Sequence, residues 1–265
     1  MPIHCPIAIR NLSNLEFDAV DQIVMRCAYD TQNSLGRLCD EQVYENDLAL
    51  RLRAAGIAEV HTQVPVTVTH RSFEKIYRLD LVANHALYEL KTVATLAAIH
   101  DAQAIHYAML VGIGHSKLLN FRSARVQGRL RFNAVTRTDR LRISWDTSQW
   151  QPLSASCTNL QCLTQEIISD WGSYLDCRLY EEALLHFCGG ETMCAQRVPV
   201  MREGVTLGTH RVQCHTDEMF FVVTALNREL AQYSTHLRRL LNLTGFKAAQ
   251  WMNINHATVQ FITLK

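Results

Sequence analysis

The feature that most constrains this chain is an internal repeat, in which two stretches of sequence match in the same order at a nearly constant distance. The segments CDEQVYENDLAL and LDCRLYEEALLH share the pattern Asp-x-x-x-Tyr-Glu-x-x-Leu, and QVPV is followed later by RVPV. From Arg78 onward the offset stays at 133 residues, which pairs Arg78 with Arg211 and Asn120 with Asn253. A colinear series of matches with almost no gaps indicates a duplicated domain.

The repeat sets the expected domain boundaries. We expect one domain over residues 14–133 and its second copy over residues 159–265. The segment between them, residues 134–158, is polar, rich in Ser and Thr and weakly periodic, which predicts a linker with a strand around RLRISW.

Composition sets broad limits. With 48% hydrophobic and 19% charged residues the chain is of the globular class. The formal net charge of +1 gives no strong overall field, so a polyanionic partner would have to be held by local basic patches. No apolar stretch approaches the roughly 18 residues of a membrane span, and the first residues lack a signal-peptide pattern. We therefore expect a cytoplasmic protein.

Nine cysteines raise the question of a metal site. None of them forms a Cys-x-x-Cys pair, and their scattered placement is typical of reduced, mostly buried thiols in a reducing compartment. The pattern therefore disfavours a zinc or iron–sulfur site.

Hydrophobic periodicity predicts the order helix, helix, three strands, helix, strands in the first copy. Helical spacing covers LEFDAVDQIVMRCAYDTQ and CDEQVYENDLALRLRAAG, with Gly56 as a C-cap. Strand alternation follows in VHTQVPVTVTH, IYRLDLVAN and HALYELKTV, with RSFEK as a polar turn and Asn84-His85 as a tight hairpin turn. A helix over LAAIHDAQAIHYAMLVG precedes two strands at KLLNF and GRLRFN.

Three charged residues interrupt the strands of this predicted hairpin. Asp80 lies on one strand, and Glu89 and Lys91 share one face of the next. Two carboxylates, a main-chain carbonyl and waters form an oxygen-rich site suited to Mg²⁺ or Mn²⁺, and Lys91 could orient or activate a metal-bound water. On these residues alone, a surface ion pair on a solvated face is the alternative interpretation.

The surrounding pattern resembles the PD-(D/E)XK nuclease superfamily and, within it, the small bacterial family named for its GxxExxY motif. Glu41 to Tyr44 matches Glu-x-x-Tyr, and Val64-Pro65-Val66 matches the Val-Pro strand. Arg78-Leu79-Asp80 and Glu89-Leu90-Lys91 match the next two motifs, and Ala102-Gln103 with Tyr107 and the strand Leu118 to Phe121 match the last two. Leu38 stands where the family motif has its glycine, with Gly36 nearby, so the local turn departs from the pattern.

The resemblance implies a restriction-endonuclease-like α/β core, with a central mixed sheet flanked by helices, duplicated here in tandem. It implies Mg²⁺ or Mn²⁺ bound by Asp80, Glu89, the Leu90 carbonyl and Glu41. Lys91 would serve the water nucleophile, and Gln103 would position the substrate or Lys91. The candidates for contact with nucleic acid are Arg78, Tyr44, Arg122 and Arg125, with Arg129 and Arg131 in the same cluster. For Glu41 and Gln103 the alternative is a solvated helix residue, and for the arginines a solvated loop.

The second copy loses these residues. Gln213 stands at the position of Asp80, Val222 at that of Glu89 and Thr224 at that of Lys91, while Cys177 and His236 replace Glu41 and Gln103. We expect a metal-dependent nuclease acting on nucleic acid, DNA more than RNA, with the second copy as a structural or substrate-holding half of an intramolecular pseudo-dimer. The alternative is a noncatalytic nucleic-acid-binding or scaffolding protein that retains the fold.

Overall fold

The computed structural model describes residues 2–265, which divide into two compact units. The first contains residues up to Thr69 and Glu74–Arg137, and the second contains His70–Phe73 and Thr138–Lys265. Both are α/β units with one mixed sheet each, as the fold prediction requires. Among residues 2–265, no helix combines the length and apolar character that crossing a membrane requires.

The first unit follows the predicted order of elements. A two-residue strand precedes two helices, three strands, a helix and two strands: β1 (Ile3–His4), α1 (Asn14–Leu35), α2 (Glu41–Ala54), β2 (Val60–His70), β3 (Phe73–Ala83), β4 (Ala86–Lys91), α3 (Ala98–Val111), β5 (His115–Asn120) and β6 (Gln127–Phe132). Its sheet has the order β1-β2-β3-β4-β5-β6. The strands β4 and β5 are parallel, joined by α3, whereas β3 with β4 and β5 with β6 are antiparallel.

Local sequence explains the ends of these elements. Ser13 and Glu16 form a capping box that starts α1, and Gly36 with a φ of 74° ends it. The family motif has a glycine where this chain has Leu38, and the turn after α1 is made at Gly36 instead. The carbonyl of Gly36 accepts a hydrogen bond from the Tyr44 hydroxyl. The predicted polar turn RSFEK is shorter in the structure, because Phe73 already begins β3.

The core of the first unit lies between the sheet and the helices α1 and α2. Its largest members are aromatic and branched side chains from both layers: Phe17, Tyr44, Leu48, Leu81, Tyr88, Leu90 and Phe121. The opposite face of the sheet is covered by α3, where Ala104 and Leu118 pack together with Leu96. The side chains of β4 therefore separate as predicted, with Tyr88 and Leu90 facing the main core.

The second unit has a similar sequence of elements: α4 (Arg137–Arg140), β7 (Ser144–Gln149), α5 (Ala155–Trp171), α6 (Cys177–Phe187), α7 (Gly190–Cys194), β8 (Ala195–Arg202), β9 (Val205–Thr216), β10 (Met219–Thr224), α8 (Leu230–Thr244), β11 (Ala248–Asn255) and β12 (Thr258–Leu264). Its sheet order is β7-β12-β11-β10-β9-β8, with β10 parallel to β11. Read from β8 to β12, this is the order of β2 to β6 in the first unit.

The segment predicted as a linker holds regular structure. It contains α4, β7 and the start of α5, and β7 pairs in parallel with β12 at the edge of the second sheet. The predicted strand around RLRISW lies a few residues further along, because β7 begins at Ser144.

Candidate active site

The hairpin of β3 and β4 positions the two predicted carboxylates. Asn84 and His85 form its turn with φ values of 42° and 71°, and two positive φ values are characteristic of a type I′ turn. The turn sets an antiparallel register in which Leu81 lies opposite Tyr88. Asp80 and Glu89 are the next residues along the two strands, on the side away from the turn. The main-chain amide of Leu90 donates a hydrogen bond to Asp80 Oδ2 at 2.8 Å.

The ammonium of Lys91 lies where three oxygens meet. Its Nζ is 2.6 Å from Glu89 Oε1, 2.7 Å from the Leu90 carbonyl oxygen and 3.9 Å from Asp80 Oδ2. One cation therefore reaches both carboxylates and the carbonyl that the sequence singled out.

Burial makes this cluster electrostatically unusual. Glu89 is 2% exposed and Asp80 is 8% exposed. Burial raises the pKa of Glu89 to about 8, with the Asp80 charge adding to the rise and Lys91 opposing it. Burial also raises the pKa of Asp80, against the lowering effect of Lys91. Burial opposes the charge on Lys91, but Glu89 and Asp80 outweigh it and leave the pKa of Lys91 above its usual value.

Glu41 borders the cluster from the first turn of α2. It is half-buried, and burial raises its pKa, which Lys91 lowers and Asp80 raises further. The Thr92 main-chain amide, next to Lys91, donates a hydrogen bond to its carboxylate. Glu41 is thus tied to the end of β4 and is neither fully solvated nor part of the core.

Gln103 and Tyr107 approach from α3 as a pair. The Gln103 amide donates to the Tyr107 hydroxyl at 3.1 Å. Tyr107 is buried, which raises its pKa, and the charges of Glu89 and Asp80 raise it further. The bond of Gln103 goes to Tyr107 here, whereas the sequence predicted a contact with Lys91 or substrate.

Two residues that support the cluster, Gln63 and Glu45, were not among the site residues predicted from the sequence. The Gln63 amide donates to Glu45 Oε2 at 2.5 Å and lies 3.5 Å from Asp80 Oδ1, so it links a second buried carboxylate to the site. Glu45 is 1% exposed, and burial raises its pKa. Gln63 has a φ of 51° inside β2, which strand alternation could not reveal. The sequence signal that could have identified Glu45 is its match with Glu181 in the repeated Asp-x-x-x-Tyr-Glu-x-x-Leu pattern.

The prediction that Tyr44 contacts nucleic acid is corrected by the structure. Its ring is fully buried and stacks on Phe121 with 4.7 Å between centroids. Its hydroxyl donates to the Gly36 carbonyl and accepts from the Cys39 amide. Tyr44 therefore joins the end of α1 to α2 and has no surface for a ligand.

The predicted arginines divide into two groups. Arg78, Arg122 and Arg125 are exposed, as contact with a phosphate backbone would require. Arg129 and Arg131 instead pair with Asp101, at 3.2 Å and 2.8 Å, which partly neutralises them. Only the first group remains as a candidate for phosphate contact.

The site fits a small divalent cation. Two carboxylates and the Leu90 carbonyl are the hard oxygen donors that Mg²⁺ and Mn²⁺ prefer. Glu89 Oε2 is buried and accepts no hydrogen bond from a protein N–H or hydroxyl group, so a cation could bind there in place of the proton that Glu89 shares with Asp80. Across residues 2–265, no three His, Cys, Asp or Glu side chains form a metal-binding group, so the carbonyl is a necessary member of this donor set.

The corresponding place in the second unit is free of the charged cluster. Thr224, at the position of Lys91, donates to Asn253 Oδ1 at 2.8 Å, and Gln213, at that of Asp80, donates to Glu181 at 2.5 Å. A cavity of about 240 Å³ lies there, lined by apolar and polar groups that include Glu181, Arg211, Gln213, Phe220, Val222 and Tyr233.

Comparison with known proteins bears on the first unit. Residues 18–132 match the family model of the PD-(D/E)XK nuclease superfamily. The matched segment runs from α1 to the end of β6 and contains every residue of the Asp80–Glu89–Lys91 cluster. Members of this superfamily are usually nucleases and typically use divalent metal ions. No curated protein and no solved structure matched the chain.

Proposed function

We propose that the first unit hydrolyses phosphodiester bonds of nucleic acid, DNA more than RNA, with Mg²⁺ or Mn²⁺ as cofactor. The observation that carries the proposal is the convergence of Asp80, Glu89 and the Leu90 carbonyl on one cationic point. An assembly of buried carboxylates next to a lysine costs stability, and perturbed groups of this kind concentrate at functional sites. The superfamily match over residues 18–132 supports the same reaction.

The roles follow from the contacts of each side chain. Asp80, Glu89 and the Leu90 carbonyl would hold the cation, with Glu41 at its border. When bound, the cation supplies Lewis-acid stabilisation of phosphate charge and lowers the pKa of a water. Lys91 stays protonated between the carboxylates and is placed to offset charge on the phosphate. Tyr107 and Gln103 would form the wall against which the substrate is positioned.

We further propose that the second unit is a degenerate copy of the first. Asn120 and Asn253 are both fully buried, and each bridges the main-chain N–H and C=O of one residue, Val93 and Leu226. Tyr180 donates to Gly172 as Tyr44 does to Gly36. These matching bonds support common descent, with the second copy kept for structure or for holding substrate.

A noncatalytic binding protein is the second candidate, and one observation favours it. Lys91 lies 2.6 Å from Glu89 and 3.9 Å from Asp80, so the chain itself supplies a cation that offsets the two carboxylates. In that case the chain would bind nucleic acid but leave it intact.

The decisive experiment measures cleavage of labelled single- and double-stranded DNA and RNA in the presence of Mg²⁺, Mn²⁺ or EDTA. We expect cleavage that EDTA abolishes, and Lys91→Met should lower its rate by about 10²–10³-fold while leaving the fold intact. Asp80→Asn should lose both cleavage and binding of Mn²⁺. Binding without cleavage under every condition would favour the second candidate.

Lys117→Met provides the matched control. Lys117 is also a partly buried strand lysine, paired with Asp21 at 2.5 Å. It lies on β5, paired with Tyr88 of β4, so its side chain is on the same face of the sheet as Tyr88. Lys91 lies on the other face. The loss of Lys117 should leave cleavage unchanged. An equal loss in both lysine variants would mean that the effect arises from stability.

A further inference from the structure

The outer face of α8, in the second unit, carries hydrogen-bond donors and no carboxylate. The inner face of this helix is apolar, and Leu237 and Leu241 on it are buried. Six exposed side chains on the outer face contain an N–H or O–H group: Gln232, Thr235, His236, Arg238, Arg239 and Asn242. Phosphate oxygens accept hydrogen bonds from these types of side chain, so the outer face is complementary to a phosphate backbone.

The absence of acidic residues distinguishes α8 from the other helices. Within residues 2–265, it is the only one of the eight helices whose bounds contain no Asp or Glu. Glu229 is its N-cap residue and precedes Arg238 by nine residues, or about 14 Å of helix. That separation exceeds the Debye length of about 8 Å at physiological salt, so Glu229 offsets little of the charge of Arg238 and Arg239.

The two arginines of α8 also differ from other basic residues of the second unit, which pair with carboxylates: Arg142, Arg178, Arg202, Arg211 and Lys247. Among the described residues, neither Arg238 nor Arg239 forms an ion pair. Arg238 donates to Ser234 Oγ at 2.8 Å, and Arg239 makes no side-chain hydrogen bond within the same residues. Both charges therefore remain available to an anion.

The helix α8 occupies the place in the second unit that α3 occupies in the first. It joins the parallel strands β10 and β11, as α3 joins β4 and β5. The repeat pairs Gln103 of α3 with His236 of α8. Under the proposed function, α3 forms the wall against which substrate is positioned, so α8 is the equivalent helix of the second unit.

We propose that the outer face of α8 binds the phosphate backbone of nucleic acid, with Arg238 and Arg239 as its cationic contacts. The inference rests on the proposed function, in which the second unit can hold substrate, and it names the surface that does so. Contacts to the backbone do not read bases, so this binding should not depend on base sequence. Each phosphate that an arginine neutralises releases counterions and makes affinity more sensitive to salt.

The experiment measures binding of the full chain to a short labelled DNA duplex, and to one of its single strands, over a series of salt concentrations in EDTA. EDTA prevents metal-dependent cleavage, so binding is tested apart from catalysis. Arg239→Gln should weaken binding and reduce the slope of log K against log salt by about 0.9 on the duplex and about 0.7 on the single strand. Adding Arg238→Gln should double the reduction, and a second base sequence should give the same result.

Two further variants serve as controls. Arg202→Gln removes the same charge from an exposed residue of the same unit, but that charge is already paired with Glu203 at 3.6 Å, so the slope should not change. Arg239→Lys retains the charge and should retain the slope. Since glutamine is a good helix former, the Arg239→Gln variant should keep the thermal stability of the wild type.

The outcomes separate this inference from the proposed hydrolysis. Equal slopes for the wild type and both α8 variants, an equal reduction in Arg202→Gln, or a wild type that binds neither DNA would overturn the inference. The first two results would do so even if the wild type cleaves DNA with Mg²⁺. Binding that depends on Arg238 and Arg239, in a chain that cleaves under no condition, would support the inference and overturn the hydrolysis.

Discussion

At the scale of single residues, the charges that interrupt the hairpin are held by one another. Lys91 offsets Glu89 and Asp80, and the Leu90 amide and the Gln63 side chain supply further hydrogen bonds to Asp80. Glu89 and Asp80 also share a hydrogen bond, which raises the pKa of Glu89 and lowers that of Asp80. A divalent cation bound by both carboxylates would replace that shared proton.

A Glu45 variant tests whether the residues that contact the metal ligands, rather than the metal itself, affect activity. Glu45→Gln should weaken activity or Mn²⁺ binding by roughly 10–100-fold, because residues that orient metal ligands typically have effects of that size. The measurement is cleavage rate against metal concentration. Glu181→Gln is the matched control, since Glu181 accepts from Gln213 as Glu45 does from Gln63. Both variants should change thermal stability by similar amounts, and only the first should change cleavage.

His215 should make stability depend on pH. Burial lowers its pKa from 6.5 to about 4, so between these values the unfolded chain binds a proton that the folded chain does not. Stability should therefore fall as pH falls from about 6.5 towards 4, by roughly 1 kcal/mol given that the ring is only partly buried. Urea unfolding at pH 7.5 and 5 measures the change.

Variants of two histidines on β9 separate this effect from other titrations. His215→Gln should remove that part of the pH dependence. His210→Gln changes an exposed residue of the same strand and should retain it. An unchanged slope in His215→Gln would show that other groups cause the loss of stability.

At the scale of elements, the sequence predicted the span of a strand or helix best where one of its faces is buried. The β2 strand alternates between buried and half-buried residues over Val64 to His70, and the predicted span matches the observed one. The β7 strand was predicted with its bounds a few residues too early, because most of its residues are exposed and its burial pattern does not alternate. Gln63 and Glu45 were missed for a different reason, since their partnership depends on which side chains meet after folding.

The two-residue turn between β3 and β4 is the element that sets the register of the site. His85→Val should destabilise the first unit by about 1–2 kcal/mol, because a β-branched residue is strained at its φ of 71°. His85→Gly tolerates that conformation. Both variants lose the bond from His85 to the Ala8 carbonyl, so the difference between their unfolding free energies reports backbone strain. Equal values would mean that the turn relaxes.

At the scale of the whole molecule, the two units agree in strand order and differ at the charged cluster. Both have the same strand order, a buried asparagine and a tyrosine–glycine bond, and Val222 stands at the position that the repeat pairs with Glu89. If the second unit is the degenerate copy proposed above, it retained residues that maintain the fold and lost those that the proposed chemistry needs. The proposal therefore favours a noncatalytic use of the second unit.

The last prediction concerns the fragment 2–137. Residues 70–73, the turn between β2 and β3, group with the second unit, and Phe73 among them is buried in the whole chain. The fragment would expose this residue, so we expect it to aggregate or to unfold at a lower temperature than the whole chain. Thermal unfolding and light scattering measure both outcomes.

A nicked chain separates the effect of the second unit from that of covalent linkage. A protease site placed at residues 134–136, between β6 and α4, allows the chain to be cut between its two halves without removing either of them. In a pseudo-dimer the nicked protein should remain stable and active, since each half still has its partner. If the second unit instead holds substrate, the fragment alone should fold but bind nucleic acid more weakly, with a shallower salt dependence because fewer phosphates are contacted. A soluble, stable fragment with full cleavage activity would contradict both uses and leave the second copy without a role in the reaction.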